Sequence, residues 1–260
     1  MFSAGAKDLE FRKRLKPLAS ITSGSDLTAN NPSPIDDPGR ERWASTPFGP
    51  AKYRYGCSTA GTTRGYLLAK AAGVSVANIL SGSKTTAVTT GLTANLYQYD
   101  VLVVTDVNAS AGASPEGYSS PIKSNSTTTI YLDPENPLPA VLAVNDDCYI
   151  YSFCKTRAAA AGDSTSDLFG IAMASITATY WGWFQYDGYC PYASVKASTA
   201  LAAEKALIAD TNMVSISSTS NASLFIGTLA QAVAFSNDLV DDVVSAVQLW
   251  NLGQAWQVTA

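Results

Sequence analysis

The residue types that carry chemistry are sparse in this 260-residue chain, and histidine is missing altogether. Without imidazole, the Ser–His–Asp and Cys–His nucleophile systems cannot be assembled, and the commonest metal ligand is gone. A hydrolase would need a lysine base or two convergent carboxylates. Adjacent carboxylates occur at Asp36-Asp37, Asp146-Asp147 and Asp241-Asp242. Neighbouring side chains on a strand face opposite ways, so such pairs do not converge, and in turns aspartates cap backbone amides. The cysteines, Cys57, Cys148, Cys154 and Cys190, lack the close spacing of a zinc site. Cys148 and Cys154 fall on one face of a strand and read as buried free thiols. Gly82-Ser-Lys-Thr lacks the spacing of a phosphate loop, and no dinucleotide fingerprint or EF-hand loop occurs. The sequence therefore assigns no catalytic residue, no cofactor and no metal, and the chain is not expected to be an enzyme.

The elements around these residues read as β-structure. Hydrophobic residues make up 47% and charged residues 15% of the chain, against a typical charged share of roughly 25%. Ser, Thr, Asn and Gly replace the missing charge, which suits sheets and lasting protein contacts. No run of 18 apolar residues suggests a membrane span. Charges in the opening MFSAGAKDLEFRKRLK occupy the place of a signal peptide's apolar region, so folding in a cytoplasm with reduced cysteines is expected. The three sequons, at Asn108, Asn125 and Asn221, are then coincidental.

Charge divides the chain. Residues 1–54 hold nine Lys/Arg against six Asp/Glu, a balance of +3, and residues 55–260 hold eight against fifteen, a balance of −7. Residues 1–50 read as an extended, largely irregular arm: a short basic amphipathic stretch (Leu9, Phe11, Leu15 and Leu18 against Arg12, Lys13, Arg14 and Lys16), then a segment broken by Pro32, Pro34 and Pro38. Phe11, Arg12, Lys13, Arg14 and Lys16 are candidate partner contacts. The basic patch is assigned to an acidic protein surface rather than to nucleic acid. Trp43 and Phe48 either dock on a partner or cap the arm's own domain.

Residues 51–260 read as one all-β body, an antiparallel barrel or sandwich. Strands are expected at 51–56, 66–70, 96–105, 127–132, 148–154, 168–176, 180–185, 193–196, 206–209, 214–217, 224–234 and 243–250. Two Ala-rich stretches, 158–161 and 198–208, favour helix by propensity; the second reads as turn plus strand. The densest aromatic run is Tyr180-Trp-Gly-Trp-Phe-Gln-Tyr-Asp-Gly-Tyr-Cys-Pro-Tyr192. Alternation places Trp181, Trp183 and Gln185 on one face and Gly182, Phe184 and Tyr186 on the other. Trp181 and Trp183 are core or partner contacts.

The Tyr-Trp-Gly-Trp-Phe-Gln strand, the following Gly188-Tyr-Cys-Pro-Tyr-Ala-Ser-Val195 and Lys205-Ala-Leu-Ile-Ala-Asp210 resemble accessory head proteins of tailed phages. The stretch from Thr127 to Asp146 and Ala51-Lys-Tyr-Arg-Tyr-Gly56 are similar to segments of the same family. The resemblance implies a capsid decoration or cement protein on the exterior of a virion head. It would be assembled in the host cytoplasm as a homo-oligomer, dimer or trimer, bound across subunits of the major capsid protein. The family's compact members lack the long Pro-broken arm, whose deletion is expected to leave a folded body without binding. A carbohydrate- or receptor-binding tail module using Trp181 and Trp183, or a coat subunit or connector, are the alternatives. A coat subunit would need a long spine helix, and no helical pattern beyond about a dozen residues is present.

Overall fold

Short runs of β-branched and aromatic residues between Gly, Pro, Asn and Asp build an all-β chain. The computed structural model describes residues 19–20, 26–46, 49–107, 114–161, 163–164, 167–196, 206–210, 213–216, 225–229 and 243–249. In chain order the first strands are β1 (Ala19–Ser20), β2 (Glu41–Thr46), β3 (Gly49–Ser58) and β4 (Leu67–Lys70), with one 3-10 turn at Asp26–Thr28. Next come β5 (Val74–Val76), β6 (Ser81–Gly82), β7 (Thr86–Val88), β8 (Val101–Asp106), β9 (Ser119–Asn125), β10 (Thr129–Leu132) and β11 (Asp147–Tyr151). The last are β12 (Lys155–Ala158), β13 (Leu168–Ala172), β14 (Trp181–Lys196), β15 (Ala206–Asp210), β16 (Met213–Ile216), β17 (Phe225–Leu229) and β18 (Val243–Leu249).

The body read as 51–260 contains two compact units. One comprises Met1–Lys70 with Lys155–Ala260, and the other is Ala71–Cys154. The second interrupts the connection between β4 and β12, which pair antiparallel with Thr156 opposite Lys70. An insertion fits there because its two ends already lie side by side. Its strands carry the same alternation as those around it, so nothing in the pattern marks the boundary.

In the first unit, strand pairing closes on itself twice. β3, β12, β4, β13 and β14 form one ring, with β3–β12 parallel and the other pairs antiparallel. β14, β16, β15, β17 and β18 form a second, with β14–β16 parallel. The 16-residue β14 belongs to both, so the strands expected separately at 180–185 and 193–196 are one. Gly188 lies where it passes from one ring to the next, at φ +87°, and a Cβ there would stand 2.5 Å from the Pro50 carbonyl oxygen. Register shifts fall on either side, at Gln185/Asp187 and Cys190/Ala193, the second spanning Pro191, which has no amide to give the ladder. Leu68, Phe169, Ala172, Ile176 and Phe184 pack together in the first ring, with Phe169 edge-on to Phe184 at 5.2 Å. Burying each such side chain contributes about 1.5–3 kcal/mol.

The boundary set at residue 50 falls inside a β-hairpin. β2 pairs with β3 from Glu41↔Arg54 to Thr46↔Gly49, and residues ahead of β2 are bonded to the same unit. Backbone bonds join Asn31 and Trp181 in both directions (3.1 and 2.8 Å), Gly39 N–H to the Tyr55 carbonyl (2.9 Å) and Tyr55 N–H to the Arg40 carbonyl (2.8 Å). The prolines keep 32–38 irregular, as expected, but this part of the arm is built into the barrel. Deleting 1–50 would remove β2 and cut into β3.

The second unit is a seven-stranded antiparallel sheet in the order β5-β11-β8-β9-β10-β7-β6. One face is covered: Leu102, Val104, Ile122, Ile130, Leu132 and Ile150 pack against Ile79, Leu138 and Leu142 from the connections. The strand expected at 96–105 starts only at Val101, because 95–99 turns, with Tyr99 at φ +72°. The Ala-rich 158–161 enters β12 at its first residue and leaves it at once, sheet pairing overriding propensity.

Candidate functional site

The aromatic run occupies the centre of the first unit. Trp181 and Trp183 are 5% and 2% exposed, Gln185 is buried on their face, and Phe184 and Tyr186 are buried on the alternate positions. The interface reading of the two tryptophans is corrected here: both of their faces are covered. Tyr55 of β3 lies 5.9 Å from Trp181, nearly parallel, and 5.0 Å from Trp183, tilted. Residues 29–42 form the outer cover. Ile35 N–H donates to the Tyr55 hydroxyl at 3.1 Å, and the Arg42 guanidinium lies 5.4 Å over the Trp183 ring. Asp36 holds this cover in shape, accepting from Arg40 Nη1 at 2.6 Å and Arg42 Nη2 at 2.5 Å. A glycan could not reach this pair with the cover in place.

On the opposite side of β3, Arg54 is 8% exposed. Its guanidinium stands 4.6 Å over Tyr186 and 5.3 Å over Phe169 and donates to Glu41 Oε1 through Nε (3.1 Å) and Nη2 (2.8 Å). Burial, then the Glu41 charge, raises the Tyr186 phenol above its ordinary range. Burial and then Arg54 lower the Lys70 ammonium. The group pins β2 to the ring by an ion pair and ring stacking. A phenol held more strongly protonated is the reverse of an activated nucleophile.

Other candidates from the sequence find structural roles or fall outside the description. Phe11, Arg12, Lys13, Arg14, Lys16 and Phe48 lie outside the described residues, as does Asp241-Asp242. Trp43 sits on β2 opposite Lys52, 39% exposed. Asp146 and Asp147 cap turns, accepting from Ala143 N–H at 2.7 Å and Asn78 N–H at 2.9 Å. All four cysteines are buried thiols. Burial pushes Cys148 up to about 12, with Asp146 and Asp147 adding, and pushes Cys190 up to about 12. Among the described residues, no group of three or more His, Cys, Asp or Glu could hold a metal, and no helix is long and apolar enough to cross a membrane.

Another surface, which alternation alone does not single out, is partly open. In the second unit, the residues alternating with the core leave the sheet's other face to solvent. Val101 and Val103 of β8, Pro121 of β9, Tyr131 of β10, and Tyr149 and Tyr151 of β11 occupy those positions. Tyr149 is opposite Val103, Tyr151 opposite Val101, and Val101 opposite Pro121. Tyr131 and Tyr151 are 44% and 54% exposed, and the Tyr149 and Tyr151 rings lie 4.5 Å apart. The signal was present in the alternation of 127–132 and 148–154, read only for its buried half. No family model, curated protein or solved structure matches the chain.

Proposed function

We propose that the chain is a virion structural protein that decorates and cements an icosahedral phage head, lying on the capsid exterior across neighbouring major capsid protein subunits. One observation carries this reading. Two of the stretches that resemble accessory head proteins, 51–56 and 180–195, are far apart in sequence yet run side by side as β3 and β14, with Trp183 opposite Tyr55. Cementing is additive: each copy buries area on two or more subunits and opposes their separation. Closed rings suit it, because they leave few free strand edges.

The charge map refines the arm's part. Within residues 19–54 four Lys/Arg balance four Asp/Glu, so the whole +3 lies in residues 1–18, five against two. Asp36, Arg40, Arg42, Glu41 and Arg54 are already paired within the first unit. The basic leader at 1–18 is the part left to steer the chain onto an acidic capsid surface, in a salt-dependent way.

The test is to add the purified full chain to heads lacking it and to reconstruct the particles by imaging. Density on the exterior over subunit junctions is expected, and deleting residues 1–18 should weaken binding and flatten its salt dependence while the far-ultraviolet circular dichroism stays β. Failure to bind heads at low salt, or density at the connector or tail alone, would overturn the reading.

A further inference from the structure

We infer that the chain meets an acidic capsid subunit at the face of the β2–β3 hairpin that carries Trp43, and that the second unit takes no part in the contact. The inference rests on the cementing reading and names the surface that performs it. The basic leader ends where β1 begins, at Ala19. β1 lies alongside β2, with Ser20 opposite Trp43. Lys16 is three residues from Ala19, at most about 11 Å of chain, so a subunit that pairs with Lys16 lies against this hairpin. Of the three described tryptophans, Trp181 and Trp183 are buried and Trp43 is 39% exposed. An indole that is already ordered on a strand and still open to water gains large apolar burial on docking, which is the usual anchor of a protein contact.

The neighbours of Trp43 fit an acidic partner. Trp43 is opposite Lys52 and Ser45 is opposite Pro50, so alternation sets these four residues on one face. That face is closed at Arg54, 8% exposed, and opens toward the hairpin turn, where Ser45 and Pro50 are exposed. The two carboxylates bordering it are each engaged by a cation: Glu41 by Arg54 and Asp187 by Lys52, both at 2.8 Å. Beside the +3 of residues 1–18, the hairpin thus presents an indole without a competing negative field. The second unit is the opposite case. Residues 71–154 carry two lysines against seven Asp/Glu, a balance of −5, and their strands form a sheet of their own. An acidic surface that draws the leader in repels this unit.

Co-sedimentation of the full chain with heads lacking it tests this. Trp43→Ala should weaken binding roughly tenfold or more, with an unchanged circular dichroism spectrum. The loss should be the same factor at low and high salt, whereas removing residues 1–18 should matter only at low salt. Single cysteines read the surface directly, because the four native thiols are buried. On heads, Ser45→Cys should be shielded from a maleimide reagent, while Tyr118→Cys and Tyr151→Cys in the second unit should label as fast as in the free chain. A wild type that does not bind heads would remove the cementing reading and this inference with it. A wild type that binds would leave cementing standing and overturn this inference alone on any of three results: Trp43→Ala binding equally well, Ser45→Cys staying open, or either second-unit cysteine becoming shielded.

Discussion

Arg42 and Trp183 meet across an intervening strand: the guanidinium on β2 lies 5.4 Å above the indole on β14, with β3 between them. The same guanidinium is held by Asp36. One carboxylate thus fixes the cation that closes the aromatic row, and the irregular segment before β2 becomes the cover over that row.

Asp36→Asn removes that charge but keeps the side chain's shape. Its carboxylate is 8% exposed and serves two arginines that are each 22% exposed. Losing it should cost about 1–3 kcal/mol, measured as a lower urea midpoint. Tryptophan emission should shift red at lower denaturant, as the cover leaves Trp181 and Trp183.

Gly182→Ala should be as damaging without touching any charge. A Cβ at 182 would stand 2.5 Å from Ile176 Cδ1 and 2.8 Å from the Ala29 carbonyl oxygen. The isoleucine could yield, but the backbone oxygen belongs to the cover and cannot without moving it. Overpacking of this kind costs about 1–3 kcal/mol. A thermal melt within a degree of wild type would show that the cover does not press on β14.

Alkaline titration should set the buried tyrosines apart. Burial pushes Tyr53 up to about 12, with Cys190 and Tyr192 adding. It also raises Tyr55, against the Ile35 amide, and Tyr186. These phenols hold their protons more tightly folded than unfolded. Their stabilising effect is complete below the ordinary value of 10.0 and is lost as pH climbs from there through about 12. Phenolate absorbance from these buried rings should rise only in a late step that coincides with unfolding. A single smooth titration of all tyrosines in a folded protein would contradict the burial.

The thiols should be silent in the native state. Cys57, Cys148, Cys154 and Cys190 are buried, and Cys148 and Cys190 are also pushed up to about 12, so little thiolate forms at neutral pH. A thiol-reactive chromophore should label the folded chain slowly and all four cysteines at once in guanidinium. Rapid labelling of one would mark an opening of its unit.

Some of this was legible in the residues. The run 148–154 alternates, and β11 follows its first four residues with Cys148 and Ile150 inward but ends at Tyr151, so Cys154 lies beyond it in a bend and does not share a strand face with Cys148. Asp146-Asp147 reads as a capping pair and is one. Trp181 and Trp183 share one face, as alternation places them, but the pattern leaves core and partner contact equally open, because the residues that cover them lie some 140 positions upstream in a segment whose prolines advertise irregularity. The insertion at 71–154 was equally silent, since strands of either unit carry the same period.

The sequence by itself determined that this chain is built of strands, which positions alternate inward, and how few groups could do chemistry, because those properties are local in the chain and set by residue type and spacing. Only the tertiary structure decided which strands close into rings, that residues 29–42 cover the aromatic row, and which tyrosines face water. Those outcomes depend on pairings between distant segments, where hydrogen-bond register and close packing choose among partners that the local pattern leaves equivalent.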